Sequence, residues 1–263
     1  QHPDAALNPR MKVIDIVTEV VKLYHPALTR NAAKAKALDR LDDVKLHKDK
    51  ITRFPHQLSG GEKRRVGIAR ILAANPEFIV ADEPVSKLDV SLQGQIIDLM
   101  LRLREEHRLT YLYISHDLQM VKRLSDRIAV MYLGKLVELA PKSVIVRGEA
   151  QHPYTRALLA STITLGTIRP TGLLTRELNT EIGLPSGCRF HPRCPQYLAM
   201  GEPQVCRTDE PQPTWNHKGQ MVACHYPDPS TCDAMGLKGV EADGTVGGSA
   251  GRRGCRHSTE CRN

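Results

Sequence analysis

The 263-residue sequence has no apolar run long enough to cross a membrane, because its longest apolar runs have only the length of a strand. A transmembrane helix needs about 20 apolar residues. The first residues also lack the basic cluster and apolar stretch of a secretory signal peptide. Aromatic residues are sparse, at 4% of the chain. We therefore expect a soluble chain, long enough for one domain and an appendage.

Two further absences bear on function. The pattern Gly-x-x-x-x-Gly-Lys-Ser/Thr, whose backbone cradles the β- and γ-phosphates of a nucleotide, occurs nowhere in the sequence. Clustered positive charge is missing as well: the net charge of +8 would permit contact with nucleic acid or a membrane surface, but the basic residues are scattered. Lys63, Arg64 and Arg65 fit a solvated helix face, so we predict no nucleic-acid partner.

Residues 58–70 have the features of a helix start that binds an anion. Ser59 can cap the helix, and Gly60 and Gly61 have no Cβ, so the backbone can approach a ligand closely. A helix N-terminus also directs free N–H groups and a partial positive charge at such a ligand. The segment therefore predicts a phosphate site.

A short apolar run at residues 78–81 ends in the adjacent carboxylates Asp82 and Glu83. We interpret the run as a buried parallel strand, and open α/β sheets bind their ligands at the carboxyl ends of such strands. A second apolar strand at residues 111–115 leads to His116. A phosphate site followed by an acid pair at a strand end indicates nucleotide hydrolysis.

Together these segments resemble the ATP-binding subunit of ABC transporters. The order and spacing of the segments carry the resemblance, since each of them alone is a weak signal. The matching segments are Gln1 with residues 7–11 (the Q-loop and its sequel), 58–62 (the signature loop), 78–83 (the Walker B strand), 86–89 (the D-loop) and 115–117 (the switch histidine). Two positions depart from the family pattern: Glu62 replaces the usual glutamine, and Lys87 the usual alanine.

The resemblance implies catalytic roles for four residues. Asp82 would hold Mg²⁺ through water, as Walker B aspartates do. Glu83 would polarise the attacking water as a general base. His116 would contact the γ-phosphate of ATP, and Gln1 would sense both Mg²⁺ and the attacking water.

The resemblance also implies a dimer with two shared sites. Ser59, Gly60 and Gly61 would bind the γ-phosphate of the ATP held by the opposite subunit, and Asp89 of the D-loop belongs to the nucleotide-binding residues. Glu62 adds negative charge near that phosphate, so we expect its side chain to point away.

The fold implied is α/β: a partial P-loop NTPase core with a helical subdomain and a small cysteine-rich C-terminal extension. In the family the phosphate loop lies upstream of the Q-loop, so we expect this chain to lack an N-terminal lobe. Alone, it would bind ATP poorly, would not hydrolyse it, and would expose apolar surface on its sheet. The expected segments are 1–57 (Q-loop and helical subdomain), 58–147 (C-terminal part of the ATPase core), 148–227 (extension) and 228–263 (disordered tail).

Hydrophobic spacing predicts the remaining elements. Apolar residues recur at helical spacing from Val13 to Tyr24, and His25-Pro26 ends that helix. Further helices are predicted at 32–46, 91–106 and 118–124, a strand at 109–115, and a hairpin whose strands 128–132 and 136–139 flank Gly134-Lys135.

Beyond the core, residues 151–159 resemble the His-Pro-Tyr-Thr element of dipeptide and oligopeptide importers, a group that includes nickel-import relatives. The cysteines that follow resemble the extension of the same importers, in which four cysteines hold a 4Fe–4S cluster. The corresponding residues are Cys188, Cys194, Cys206 and Cys224, with a longer gap before Cys206 than the family has. Thiolates suit iron–sulfur or zinc, and free thiols are the third alternative. Stray thiols are expected at Cys232, Cys255 and Cys261.

The resemblance thus implies an ATPase subunit that powers peptide import from the cytoplasmic face of the inner membrane, with ATP and Mg²⁺. Its partners would be a second, different ATP-binding subunit, two transmembrane permease subunits and, indirectly, an extracytoplasmic peptide-binding protein. Two alternatives are a non-transport ABC ATPase and an inactive remnant that retains only the cysteine module. The sequence leaves the solute open among dipeptide, oligopeptide, nickel and other ligands.

Overall fold

The computed structural model describes residues 6–86, 88–161 and 183–227. Gln1, Lys87 and the tail cysteines Cys232, Cys255 and Cys261 lie outside the described residues. The predictions made for them, and the disorder predicted for 228–263, therefore stay predictions.

Two helices form the first part of the described chain. Helix α1 (Val13–Tyr24) buries Val13, Val17 and Val21 on one face, as its apolar spacing predicts. Helix α2 (Arg30–Asp43) is capped by the Thr29 hydroxyl, which accepts a hydrogen bond from the Ala32 N–H at 3.3 Å. The sequence predicts that this helix continues to residue 46. It ends at Asp43 because Lys45 adopts a left-handed φ of 52°.

The centre of the chain alternates helices and parallel strands. The order is α3 (Gly60–Leu72), β1 (Phe78–Asp82), α4 (Val90–Glu106) and β2 (Thr110–Ile114). Strands β1 and β2 pair in parallel, with Phe78 opposite Thr110 and Asp82 opposite Ile114. Their carboxyl ends therefore lie at the same edge of the sheet.

The two faces of this sheet differ in burial. Ile79 is buried and Ala81, Tyr111 and Tyr113 pack against the same core. The opposite face is exposed, and its apolar side chains are Phe78 (55%), Val80 (53%), Leu112 (48%) and Ile114 (48%). The prediction of a parallel strand is confirmed, and so is the exposed apolar surface. The prediction that the strand is buried is wrong for this face.

A second sheet follows. Helix α5 (Leu118–Leu124) leads into the antiparallel hairpin of β3 (Arg127–Tyr132) and β4 (Lys135–Pro141). The predicted hairpin is confirmed, and Leu133 (φ 45°) and Gly134 (φ 78°) make its turn. Helices α6 (Lys142–Val146) and α7 (Pro153–Ser161) come next.

The C-terminal extension adds to this second sheet instead of forming a separate one. It contains α8 (Pro195–Ala199), α9 (Val205–Thr208), β5 (Thr214–Trp215) and β6 (Met221–Val222), and the strand order is β3-β4-β6-β5. The Phe190 ring lies 5.1 Å from the Tyr132 ring and 5.4 Å from the Tyr154 ring. The extension therefore shares a hydrophobic core with the β3–β4 hairpin.

Across the described ranges, every helix is too short or too polar to traverse a lipid bilayer.

Candidate functional site

The predicted acid pair and the predicted histidine meet at the carboxyl edge of the parallel sheet. Asp82 ends β1, and Glu83 follows with its backbone N–H donating to the Ile114 carbonyl of β2 at 2.8 Å. The Glu83 carboxylate (Oε1) lies 3.0 Å from Nδ1 of His116. Because an ionised carboxylate only accepts hydrogen bonds, Nδ1 carries the proton of this contact. The structure thus brings Asp82, Glu83 and His116 to one edge.

The Glu83 backbone has a conformation that the sequence did not predict. Its φ is 44°, in the left-handed region that residues with a Cβ seldom adopt. Bonds on both sides hold it there: the N–H contact to Ile114, and the Ser86 hydroxyl, which donates to the Glu83 carbonyl at 3.1 Å. Such backbone strain is common at functional sites.

The signature segment forms a capped helix start. The Ser59 hydroxyl accepts from the Glu62 N–H at 3.3 Å, and the Glu62 carboxylate accepts from the Ser59 N–H at 2.8 Å. This reciprocal pair is a capping box. Glu62 also pairs with Lys50 at 3.2 Å. Burial raises the pKa of Glu62, but the bonds from Ser59 and Lys50 outweigh that effect, so its pKa lies below the ordinary value.

The glycines of this segment face the D-loop and the helix that follows it. A Cβ added at Gly60 would lie 3.9 Å from the Leu88 side chain, and one added at Gly61 would lie 3.4 Å from Leu92. Asp89, predicted to bind nucleotide, caps α4 by accepting from the Leu92 N–H at 2.8 Å. The two segments therefore pack against each other.

Four cysteines of the extension line one cavity: Cys188, Cys194, Cys206 and Cys224. All four are free thiols. Burial raises the pKa of each, to about 11 for Cys206 and about 12 for Cys224. Within the ranges the structure describes, no set of three or more His, Cys, Asp or Glu side chains is arranged to hold a metal ion.

A glycine fixes the backbone around this cysteine cavity. The Cys188 N–H donates to the Cys206 carbonyl at 3.0 Å. Gly187 has a φ of 61°, and a Cβ there would lie only 2.7 Å from the same carbonyl oxygen. No other residue type fits this close approach.

Two buried polar residues lie close together here: Glu138, which the sequence analysis did not single out, and His152, which belongs to the predicted His-Pro-Tyr-Thr element. Glu138 of β4 is fully buried and accepts from the N–H groups of Gln151 (2.8 Å) and His152 (3.2 Å) and from the Gln220 side chain (2.6 Å). His152 lines the cavity, and burial lowers its pKa to about 4. A glutamate within the apolar run of β4 is the signal that could have identified the first of them.

Comparisons with known proteins identify the family of this chain. Residues 1–86 match the family model described as ABC transporter, and residues 137–200 match the one described as Oligopeptide/dipeptide transporter, C-terminal region. The chain is 46% identical over 229 residues to the putative oligopeptide transport ATP-binding protein YkfD of Bacillus subtilis, covering 86% of this chain and 68% of that protein.

Two other relatives have similar coverage. Identity is 43% to the oligopeptide transport ATP-binding protein AppF of Bacillus subtilis, over 86% of this chain and 68% of that protein. Identity is 39% to the dipeptide transport ATP-binding protein DppF of Haemophilus influenzae, over 87% of this chain and 68% of that protein. The chain therefore belongs to the family of ATP-binding proteins of oligopeptide and dipeptide ABC transporters.

Proposed function

We propose that this chain is an ATP-hydrolysing subunit that energises an ABC importer of peptides. Its relatives are named as oligopeptide and dipeptide transport ATP-binding proteins. The observation that carries the chemistry is the 3.0 Å contact between Glu83 and His116 at the carboxyl ends of β1 and β2.

In this proposal Glu83 is the general base. His116 occupies one carboxylate oxygen of Glu83, so the other is free to accept a proton from the attacking water. The His116 side chain is 81% exposed, and its second ring nitrogen can face the γ-phosphate of bound ATP. The contact to Glu83 would fix the tautomer and orientation of that ring.

Asp82 is the proposed Mg²⁺ residue. Its carboxylate stands at the exposed end of β1, and carboxylate oxygens are ligands that Mg²⁺ prefers. When bound, the ion neutralises charge that develops on the transferred phosphoryl group. Gln1, proposed to sense the ion and the water, lies outside the described residues.

Ser59, Gly60 and Gly61 are proposed to bind the γ-phosphate of ATP on a second subunit. Support comes from the capped start of α3, where Ser59 and Gly60 are exposed and the helix directs its N-terminus outward. The Glu62 carboxylate accepts from the Ser59 N–H and also pairs with Lys50, whose positive charge offsets its own beside the proposed phosphate site. Asp89, next to this segment, would keep the D-loop in position by capping α4.

The proposed assembly contains a second, different ATP-binding subunit and two membrane permeases, with a peptide-binding protein acting indirectly. At the end of α1 the apolar side chains of Leu23 (73%) and Tyr24 (59%) are exposed, and they suit contact with a membrane subunit. The chain would then work at the cytoplasmic face of the membrane.

The substitution Glu83→Gln tests the catalytic proposal. In the complete subunit assembled with its partners, we expect the variant to bind ATP like the wild type but to lose turnover at least about a hundredfold, because an amide cannot accept the proton. Steady-state ATPase rates and ATP binding measure the two effects. Wild-type turnover in this variant would remove Glu83 from the mechanism.

We further propose that the cysteine cavity holds a metal centre, with a 4Fe–4S cluster preferred and zinc as the alternative. Four thiols around one cavity are the donor set that either centre uses. Among the described residues they are not yet arranged around an ion, so loading would have to bring them closer together. Because burial raises the pKa of each thiol, loading would have to release protons. When bound, the centre would cross-link a segment that contains only short elements of its own.

Metal analysis of protein purified without oxygen tests this second proposal. The cluster predicts about four iron and four sulfide per chain, lost together when the Cys206→Ser and Cys224→Ser substitutions are combined. Stoichiometric zinc without sulfide would favour the alternative. Protein that contains neither iron nor zinc would show that the four cysteines are free thiols and would contradict the proposal.

A further inference from the structure

The helix that begins at Ser59 makes a polar contact with the loop that carries Glu83. One turn into α3, Nη2 of Arg64 donates to the Ser86 carbonyl at 3.0 Å. The neighbouring Arg65 turns elsewhere and donates to the Val44 carbonyl at 2.7 Å. Arg64 therefore has a partner of its own, 22 residues away in sequence.

Ser86 continues this contact to the proposed base. Its hydroxyl donates to the Glu83 carbonyl at 3.1 Å, and its backbone N–H lies 3.2 Å from the same oxygen. Glu83 has its left-handed φ of 44° at this point, and such a conformation persists only when the surroundings hold it. The chain of bonds from Arg64 through Ser86 ends on that residue.

The surroundings of Arg64 strengthen the contact. The guanidinium is partly buried, and desolvation lowers the pKa of Arg64, although an arginine remains charged in proteins. A hydrogen bond from a charged donor is stronger than one between neutral groups, and partial burial shields it from water.

The buried face of α3 consists of residues other than Arg64. Val66, Ala69 and Leu72 bury the inner face of the helix, and Gly61 packs near Leu92. Removal of the guanidinium should therefore leave the helix in place and change mainly the loop.

We infer that Arg64 is a positioning residue for ATP hydrolysis: by its bond to Ser86 it fixes Glu83 and ties that residue to the helix that begins at Ser59. This inference rests on the proposed role of Glu83. It assigns to a basic residue of the helix face, interpreted above as solvated, a direct part in holding the catalytic loop.

The test compares variants of the complete subunit within the assembled transporter. For Arg64→Gln we expect kcat to fall about tenfold or more, since small misplacements of a catalytic group are costly, while KM for ATP stays within about twofold. Arg64→Lys should recover most of the loss, because an ammonium can also donate to the Ser86 carbonyl. Arg123→Gln, which removes an exposed ion pair with Asp98, is the matched control and should leave kcat unchanged.

Ser86→Ala provides a second route should Arg64→Gln fold poorly. It removes the hydroxyl bond to Glu83 and should lower kcat by a smaller factor. The double variant with Arg64→Gln should lose less than the product of the two single losses, since both act through the same loop.

The outcomes separate this inference from the function on which it rests. Loss of turnover in Glu83→Gln, with unchanged kcat in Arg64→Gln, would overturn the inference and leave the proposed function intact. A raised KM at unchanged kcat, or an equal loss in Arg123→Gln, would overturn it as well. Wild-type turnover in Glu83→Gln would remove the proposed function itself.

Discussion

Glu62 illustrates how one side chain can serve two purposes. The family pattern has glutamine at this position, and the two residue types can both accept the N–H of Ser59. Glutamate adds the 3.2 Å ion pair with Lys50, which links the start of α3 to the segment before it. The positive charge of Lys50 thereby offsets the negative charge that Glu62 adds near the proposed phosphate site.

We predict that Glu62→Ala destabilises the protein by about 1 kcal/mol, because it removes the bond to the Ser59 N–H and the ion pair with Lys50, whereas Glu62→Gln keeps the first of these and has a smaller effect. The pKa of Glu62 is lowered in the folded state, so its charge stabilises the fold above its ordinary value of 4.5. That contribution is lost as the pH falls through the lowered value.

Urea unfolding of wild type and Glu62→Gln between pH 3 and pH 7 measures this dependence. The difference in unfolding free energy should shrink on the acid side. A difference that stays constant with pH would contradict the ion pair.

Glu138 links whole elements of the fold. Its carboxylate joins β4 to the start of α7 and to Gln220 beside β6. Burying a charge is costly unless hydrogen bonds compensate it, and here three N–H donors do so. One glutamate thus connects the β3–β4 hairpin with the segments that follow it.

We predict that Glu138→Ala destabilises the fold by about 3 kcal/mol or more, because it removes the buried carboxylate that accepts three N–H hydrogen bonds. Unfolding by urea and proteolysis of the segment after β4 are the measurements. Glu106→Ala, at an exposed ion pair with Arg102, is the control and should cost less than about 1 kcal/mol. Equal effects of the two substitutions would contradict this role for Glu138.

The sequence predicted elements better than it predicted the contacts between them. Helix α4 was expected at 91–106 and spans Val90–Glu106, since its apolar spacing and the cap at Asp89 are local signals. Strands β5 and β6 were missed because each has two residues, too few for a pattern.

The candidate site was also predicted only in part. The residue types of Asp82, Glu83 and His116 follow from motifs, and their meeting follows from parallel pairing. The positive φ of Glu83 and the partners of Glu138 do not, because they depend on contacts between distant parts of the chain. Gln220, for example, lies 82 residues from Glu138 in sequence.

At the scale of the whole molecule, the face of β1 and β2 formed by Phe78, Val80, Leu112 and Ile114 is an apolar surface that the described residues leave uncovered. Contiguous apolar surface of this kind favours association. Threonine suits a strand and is more polar, so it can test the surface without breaking the sheet.

We predict that the 263-residue polypeptide binds a hydrophobic dye and aggregates on concentration, and that combined Val80→Thr and Leu112→Thr substitutions reduce both. Dye fluorescence and light scattering measure the change. Met131→Thr, at a 61% exposed position on the other sheet, is the control. A reduction of the same size in that control would show that the β1–β2 face is not responsible.

Gly187 has a consequence for how the cysteine cavity would acquire an ion. Because the glycine lets two backbone segments touch, Cys188 and Cys206 are already neighbours before anything enters. Two ligands that are held together beforehand lose less chain entropy on loading than two that the ion must bring together. Replacing this one hydrogen with a methyl group would therefore weaken the metal uptake proposed for this cavity without removing a single thiol.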